Sequence, residues 1–276
     1  MINSAQIFNR VIGSIPNSSY GVFPNAYDVI LCYHGVEGSD DYHGVEGGKD
    51  YHGVEGSEDV FTVTPRNFKA HISAISKTYS LVSFDHMLKT ENDGKSIRVA
   101  ISFDDGYKNV YENAFPVLQK FKISAGIFVL GNTQELTSKT RRYLTKTEMR
   151  VLKQAGWEIG WHTNTHMNLL DAKAKEIAQD FSTEKQSFES SYTGELKYVA
   201  YPFGKYNREV ENFARGAGFN KAFTVDGYKA DTKKYSIDRV TVSAHMNAND
   251  VVSLISPMGI MVNKLFTFAW QIKDKY

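Results

Sequence analysis

Two adjacent carboxylates, Asp104 and Asp105, end an apolar run and are followed at once by Gly106. Two acids crowded at one point cost stability unless they do chemistry or bind a cation. The alternative is an Asp-Asp-Gly surface turn, since both residue types are common in turns. A second set of groups shifts the balance toward chemistry. His162 and His166 lie four residues apart in His-Thr-Asn-Thr-His, a spacing that puts both imidazoles on one side of a helical turn. One carboxylate with two imidazoles suits a catalytic zinc that keeps positions open for water. A bound metal lowers the pKa of that water toward neutrality, and the other carboxylate is then available as a general base. Either motif alone is a weak signal; both together, each at a strand end, are more specific.

These groups need rigid supports, and the apolar pattern supplies them. Residues 98–103 read as a short buried strand delivering the two aspartates. Residues 157–161 form another, delivering His162. Residues 28–33 form the first clear strand, and it ends on His34. Residues 198–201 run into Pro202-Phe203-Gly204. Further strands are expected at 79–82, 124–130, 221–225 and 240–242. Helices fall between them: from Pro65 to about residue 77 behind a Thr64 N-cap, at 84–89, at 109–122 with an interruption near Pro116, and from a Thr145/Glu148 capping box to Gly156. Two more are expected, from Leu169 to about residue 190 and at 207–217. Strand and helix alternate with no composition break, which predicts an α/β chain folded as a single-domain (β/α) barrel. Every polar cluster falls just after a strand, on the rim where such barrels carry their sites.

With 276 residues, 42% of them hydrophobic and 13% aromatic, one large domain can bury an ample core. The net charge of +1 offers nothing to a nucleic acid. A single cysteine, Cys32, excludes an intrachain disulfide and fits a reducing compartment. The first residues lack a basic start and apolar run, so no signal peptide is expected and the chain reads as cytoplasmic. Residues 258–272 are apolar but broken by Asn263, Lys264 and Gln271, too short and polar to cross a bilayer. That stretch is expected to be a tail helix packed on the core, with a membrane-surface position as the alternative. The expected organisation is an N-terminal extension over 1–27, a catalytic domain over 28–256 and the tail over 257–276.

Tyr-His-Gly-Val-Glu-Gly occurs three times, from Tyr33, Tyr42 and Tyr51, with a period of nine and a closing aspartate each time: Asp41, Asp50 and Asp59. The unit is too short for a solenoid. Periodic histidines would suit a metal; tandem duplication inside a tolerant loop is the reading preferred here. His71 and His86 sit in expected helices as structural residues, and His245 is expected at the surface or behind the site. Tyr107, Trp161 and Tyr206 lie near the motifs, where packing is the commoner role and stacking on a ligand the alternative.

Over about residues 29–242 the chain resembles the polysaccharide deacetylase superfamily, carbohydrate esterases with a NodB-homology domain that act on N-acetylated sugars. Ser102-Phe103-Asp104-Asp105-Gly106 is similar to the first family motif, which makes Asp104 the base and Asp105 a metal ligand. His162 to His166 is similar to the second, supplying two more ligands. Ala200-Tyr201-Pro202-Phe203-Gly204 takes the third motif's place, but Ala200 stands where the family usually has an arginine that orients the base. Tyr-Pro-Phe-Gly resembles the circularly permuted branch that contains the poly-N-acetylglucosamine deacetylases. In that branch a Tyr-His pair near the N-terminus replaces a C-terminal histidine motif, and Tyr33-His34 resembles it. Asp238-Arg239-Val240 resembles the branch's last strand, so Arg239 is expected to replace the missing arginine.

The resemblance implies a distorted barrel of the deacetylase type and metal-assisted hydrolysis of an acetamide. It makes Asp104 the base toward the attacking water and His34 the proton donor to the leaving amine. The backbone N–H of Phe203, in the segment Tyr201, Pro202, Phe203 and Gly204, and one divalent metal, expected to be zinc, stabilise the oxyanion. The expected substrate is an N-acetylated sugar, nucleotide-linked, lipid-linked or an oligosaccharide precursor of a surface polysaccharide; a lipid carrier would bring peripheral membrane contact. The alternatives are a catalytically degenerate carbohydrate-binding protein on the same fold and an amide hydrolase acting on a non-sugar substrate.

Overall fold

Alternation along the strands decides which residues face the barrel interior. In the computed structural model, which describes residues 26–38, 60–133, 142–192, 194–225 and 227–262, β1 (Asp28–Tyr33) is buried throughout. Val29, Leu31 and Tyr33 of β1 pack outward, while Ile30 points inward. The chain continues through α1 (Pro65–Thr78), β2 (Ser80–Leu81), α2 (Phe84–Lys89) and β3 (Arg98–Phe103). In β3 the parity repeats, with Val99, Ile101 and Phe103 outward and Ala100 inward. There follow a π-helical turn at Val110–Ala114, α3 (Phe115–Lys120), β4 (Gly126–Val129), α4 (Lys146–Gln154) and β5 (Glu158–Trp161). The rest comprises α5 (Ala174–Gln179), a second π-helical turn at Asp180–Glu184, α6 (Lys185–Tyr192), β6 (Tyr198–Ala200), α7 (Arg208–Gly216), β7 (Lys221–Phe223), β8 (Ser236–Ile237), β9 (Val240–Thr241) and α8 (Ala248–Ile255).

All the strand pairings of the nine-stranded sheet are parallel, in the order β8-β7-β6-β5-β4-β3-β1-β9, with β2 on β3. The two ends of that order, β8 and β9, are successive parts of one short segment. Residues 236–241 pair first with β7 and then with β1, so one stretch of chain draws the curled sheet together. This is the expected distorted (β/α) barrel in one domain. The interior is filled by Phe128, Tyr198 and Phe223 from strands and by Phe84 and Met87 from α2. The outer layer between strands and helices is the larger core, with Trp157, Trp161, Phe103 and Phe68.

The helix ends read from the sequence form as expected. Thr64 accepts from the Asn67 N–H, and Thr145 and Glu148 make both bonds of a capping box. The helix expected over 169–190 begins later, at Ala174, and is interrupted by the second π-helical turn. Among the short strands, β8 has no sequence signature and was not expected: two residues are too few to show a period. The tail is helical over 257–262, with Met258 and Val262 buried. The rest of the tail, the N-terminal extension to residue 25, and the pairs Tyr42-His43 and Tyr51-His52 lie outside the described residues.

Candidate metal and catalytic site

Five segments bring their side chains to the C-terminal rim of the barrel. β1 ends on His34, β3 on Asp104 and Asp105, β5 on His162, β6 on Pro202-Phe203-Gly204, and β8 on Arg239. Parity carries inward from the core: Cys32 follows Ile30, and Ser102 and Asp104 follow Ala100. Asp105 escapes that alternation through a left-handed backbone at φ 68°. Gly106 follows at φ 72°, and a Cβ there would meet Val129 Cγ1 at 2.9 Å, so the turn requires glycine. Among the described residues, five non-glycine residues have positive φ, and four of them, Asp105, Thr163, His166 and Phe203, line this rim. Backbone strain of this kind gathers at functional sites.

Asp105, His162 and His166 converge. Asp105 Oδ1 lies 3.5 Å from the Nε2 atoms of both histidines, too far for a good hydrogen bond, and it is buried without a hydrogen-bond partner. Tetrahedral ligands about 2.1 Å from a zinc stand about 3.4 Å apart, so these separations fit a metal triangle. The Ala200 carbonyl, 2.8 Å from His162 Nδ1, can only accept, so Nδ1 carries the proton and Nε2 keeps its lone pair for a ligand. Burial, then His162, pushes the His166 imidazole down to about 4, which keeps it neutral as a ligand must be. Burial alone would raise the Asp105 carboxyl, but His34, His166 and His162 outweigh it and hold it low. The two histidines do not meet on a helical turn as expected. They sit at the ends of an irregular segment with left-handed backbone at Thr163 and His166.

Asp104 is engaged elsewhere. Its two carboxylate oxygens accept from Nη1 and Nη2 of Arg239, each at 2.7 Å. Arg239 is fully buried, with Nε donating to the Thr224 carbonyl, Nη1 also reaching Ser102 Oγ at 3.2 Å, and its guanidinium 5.0 Å from the Phe128 ring centre. The segment that joins β7 to β1 thus places an arginine against Asp104. Burial would raise the Asp104 carboxyl, but Arg239 and His162 hold it well below the usual range. Stability from this pair is therefore present above the ordinary value of 3.8 and is lost only as pH falls toward the depressed one.

Removing one partner of a buried ion pair strands the other, at a cost of about 3–5 kcal/mol. Arg239→Ala is expected to lower the denaturation free energy by that order and to impair turnover, while metal content holds because no ligand is touched. Urea unfolding followed by elemental analysis checks this; wild-type stability with full activity would remove Arg239 from the site.

His34 stacks on Phe61, with ring centroids 4.9 Å apart and planes at 22°, and its Nδ1 is buried without a partner. Tyr33 stands opposite Phe103 in the β1–β3 pairing, so His34 leaves the sheet at the level of Asp104. The Phe203 ring stands edge-on to His166 at 4.6 Å. Tyr201, expected in the substrate segment, turns its side chain outward instead, toward Ser236 Oγ at 3.3 Å and against Tyr206 at 4.7 Å. Pro202 and Gly204 are buried beside Phe203. Trp161 is wholly buried and bonded to Asp180, and Tyr107 is packed against Tyr143. His71 is buried between the Tyr33 hydroxyl and the Met246 carbonyl, while His86 and His245 are exposed.

Three contributors were missed in the sequence. Cys32 Sγ lies 3.3 Å from Asp104 Oδ2; burial raises the thiol well above its ordinary pKa, so it is a donor. Its inward parity with Ile30 and His34 was the available signal. Phe61 and Asp180 have none, because only tertiary structure brings them here.

A family model described as polysaccharide deacetylase matches residues 91–222. The chain is 27% identical over 202 residues to YxkH of Bacillus subtilis, a protein named for polysaccharide deacetylation, covering 71% of each. It is 25% identical over 198 residues to the poly-beta-1,6-N-acetyl-D-glucosamine N-deacetylase of Staphylococcus aureus, covering 66% of this chain and 68% of that one. The fold is similar to that of the Streptococcus pyogenes deacetylase PplD in complex with acetate, at TM-score 0.67 and 20% identity over 84% of this chain and 99% of that one. It is similar also to IcaB from Ammonifex degensii, at TM-score 0.67 and 20% identity over 83% and 97%.

Proposed function

We propose that the chain is a member of the polysaccharide deacetylase superfamily, close to its circularly permuted branch, and a metal-dependent hydrolase removing the acetyl group from an N-acetylated sugar. The observation that carries the reading is the pairing of Arg239 with Asp104 beside the triangle of Asp105, His162 and His166. The alternative of a degenerate binding protein rests on the missing arginine at Ala200; the pairing of Arg239 with Asp104 favours the hydrolase. The relative from S. aureus is named for poly-N-acetylglucosamine, which favours an N-acetylated amino sugar over a non-sugar amide.

Asp105 Oδ1 and the Nε2 atoms of His162 and His166 would hold the divalent ion, with zinc favoured by the donor set. Bound there, it would supply a Lewis acid that polarises the acetyl carbonyl and acidifies water. Asp104 takes the proton of the attacking water at a carboxylate oxygen that Arg239 keeps ionised and oriented. The Phe203 N–H, in the turn after β6, is assigned to the developing oxyanion. His34 gives a proton to the departing nitrogen, since an amine leaves poorly unless protonated. The C–N bond breaks as the new C–O bond is kept, giving acetate and the free amino sugar.

The carrier and compartment are part of the same proposal: a nucleotide-linked, lipid-linked or oligosaccharide precursor met in the cytoplasm or at the membrane's inner face. Acetate release is to be screened over those three classes, with and without chelator. Turnover abolished by chelator and restored by zinc is the expected result, with about one metal per chain in the purified protein. The double variant His162→Ala/His166→Ala should lose that metal. Unchanged metal content in the double variant would sink the ligand assignment, and no acetate from any zinc-loaded assay would sink the activity.

A further inference from the structure

Of the three proposed metal donors, His162 follows directly on β5, while His166 closes an irregular segment beyond it. Between His162 and His166 the backbone is left-handed at Thr163 (φ 65°) and again at His166 (φ 58°). Non-glycine residues in that region cost about 1–3 kcal/mol each and persist only where their surroundings hold them. From one side the segment is held by backbone bonds, Gly131 N–H to the Thr163 carbonyl at 3.2 Å and Asn132 N–H to the Asn164 carbonyl at 2.8 Å. From the other side it is held by a carboxylate that the proposed chemistry does not use. Asp180 Oδ2 accepts from the Asn164 N–H at 2.7 Å, and Asp180 Oδ1 accepts from the Trp161 indole N–H at 2.7 Å.

Those two donors bracket His162, one just before it and one at the middle of the segment that ends on His166. Asp180 is 1% exposed and opens the π-helical turn between α5 and α6, a local form frequent at functional sites. Burying a carboxylate against two neutral N–H groups is costly, and desolvation pushes its carboxyl up to about 6. A neutral acceptor would satisfy the same donors at less cost. What the carboxylate adds is short, charge-assisted bonds of roughly twice the strength, and hence a stiffer clamp.

We infer that Asp180 is a positioning residue for the metal centre, setting the separation and orientation of the His162 and His166 imidazoles through Trp161 and Asn164. The inference rests on the metal reading above. Groups that orient metal ligands typically alter affinity by about 10–100-fold when removed.

Asp180→Asn keeps the shape but turns one acceptor into a donor that faces another N–H. Metal-stripped wild type and variant are titrated with zinc against a chromophoric chelator and, separately, with cobalt followed by its visible d–d bands. The expected result is zinc affinity weaker by about tenfold or more, and a cobalt spectrum that departs from wild type even at saturation. A merely structural role would lower the thermal midpoint of the metal-free protein and leave both readouts unchanged, and that outcome overturns the inference. Should Asp180→Asn fail to fold, Asp180→Glu keeps the charge and shifts the carboxylate off its two donors; an altered cobalt spectrum supports the inference and an unaltered one overturns it. Wild type that binds no zinc would overturn the metal reading itself, and this inference with it.

Discussion

Asp104→Asn is expected to cut turnover by about a hundredfold or more while leaving the metal in place, the usual scale for loss of a general base. The two aspartates are chemically identical neighbours, and the backbone alone separates their roles. Asp104 keeps strand parity and points inward to Arg239, which occupies both of its oxygens. Asp105, turned by its left-handed φ, presents Oδ1 to both imidazoles. An amide at position 104 cannot take a proton from water, and its NH₂ would oppose one of the guanidinium N–H groups. The variant should therefore lose some stability as well, without touching any metal donor. Acetate release and elemental analysis on the same preparation decide it. If the metal leaves with the activity, the roles of Asp104 and Asp105 have been exchanged.

The parts of this architecture that depend on local chemistry were legible before the fold. The strands carrying His34 and Asp104 are short apolar runs rich in β-branched residues, and the Thr64 and Thr145 caps declare their helices. The parts that depend on closure were not. Arg239 could be matched to the missing arginine only through resemblance, because its place follows from residues 236–241 bridging β7 to β1. Helical periodicity predicted that His162 and His166 share one face; the structure brings their imidazoles together instead through an irregular segment with left-handed backbone at Thr163 and His166. Tyr201 marks the opposite limit. It belongs to the motif by sequence, but the strand's alternation turns its ring away from the site toward Ser236.

Among the three Tyr-His pairs, only His34 is expected to matter for turnover: His34→Ala should lose about a hundredfold or more, and His43→Ala and His52→Ala little. His34 follows directly on a fully buried six-residue strand, which fixes where its ring can point. Phe61 stacks on that ring from the far end of the intervening chain. The two ends are joined close to the barrel. Val36 bridges to Val63, the Val63 N–H donates to the Gly35 carbonyl, and the Glu37 N–H donates to the Val63 carbonyl, each at 3.0 Å. The Asn109 carboxamide accepts from the Val36 N–H at 3.1 Å and donates to Glu37 at 2.9 Å, tying the same foot to the segment after Asp105. His34 thus lies on the barrel side of the junction, and Phe61, within the chain that the junction closes, stacks back on it. Deleting 42–59 removes two whole copies and shortens only the chain between pinned ends, a change worth about 1 kcal/mol in closure entropy and favourable in sign. The deleted protein should fold, bind metal and release acetate at a rate near that of the full chain. Thermal unfolding and acetate release test this together. An inactive deletion beside an active His34→Ala would mean that the repeat carries the proton donor and that duplication is not its explanation.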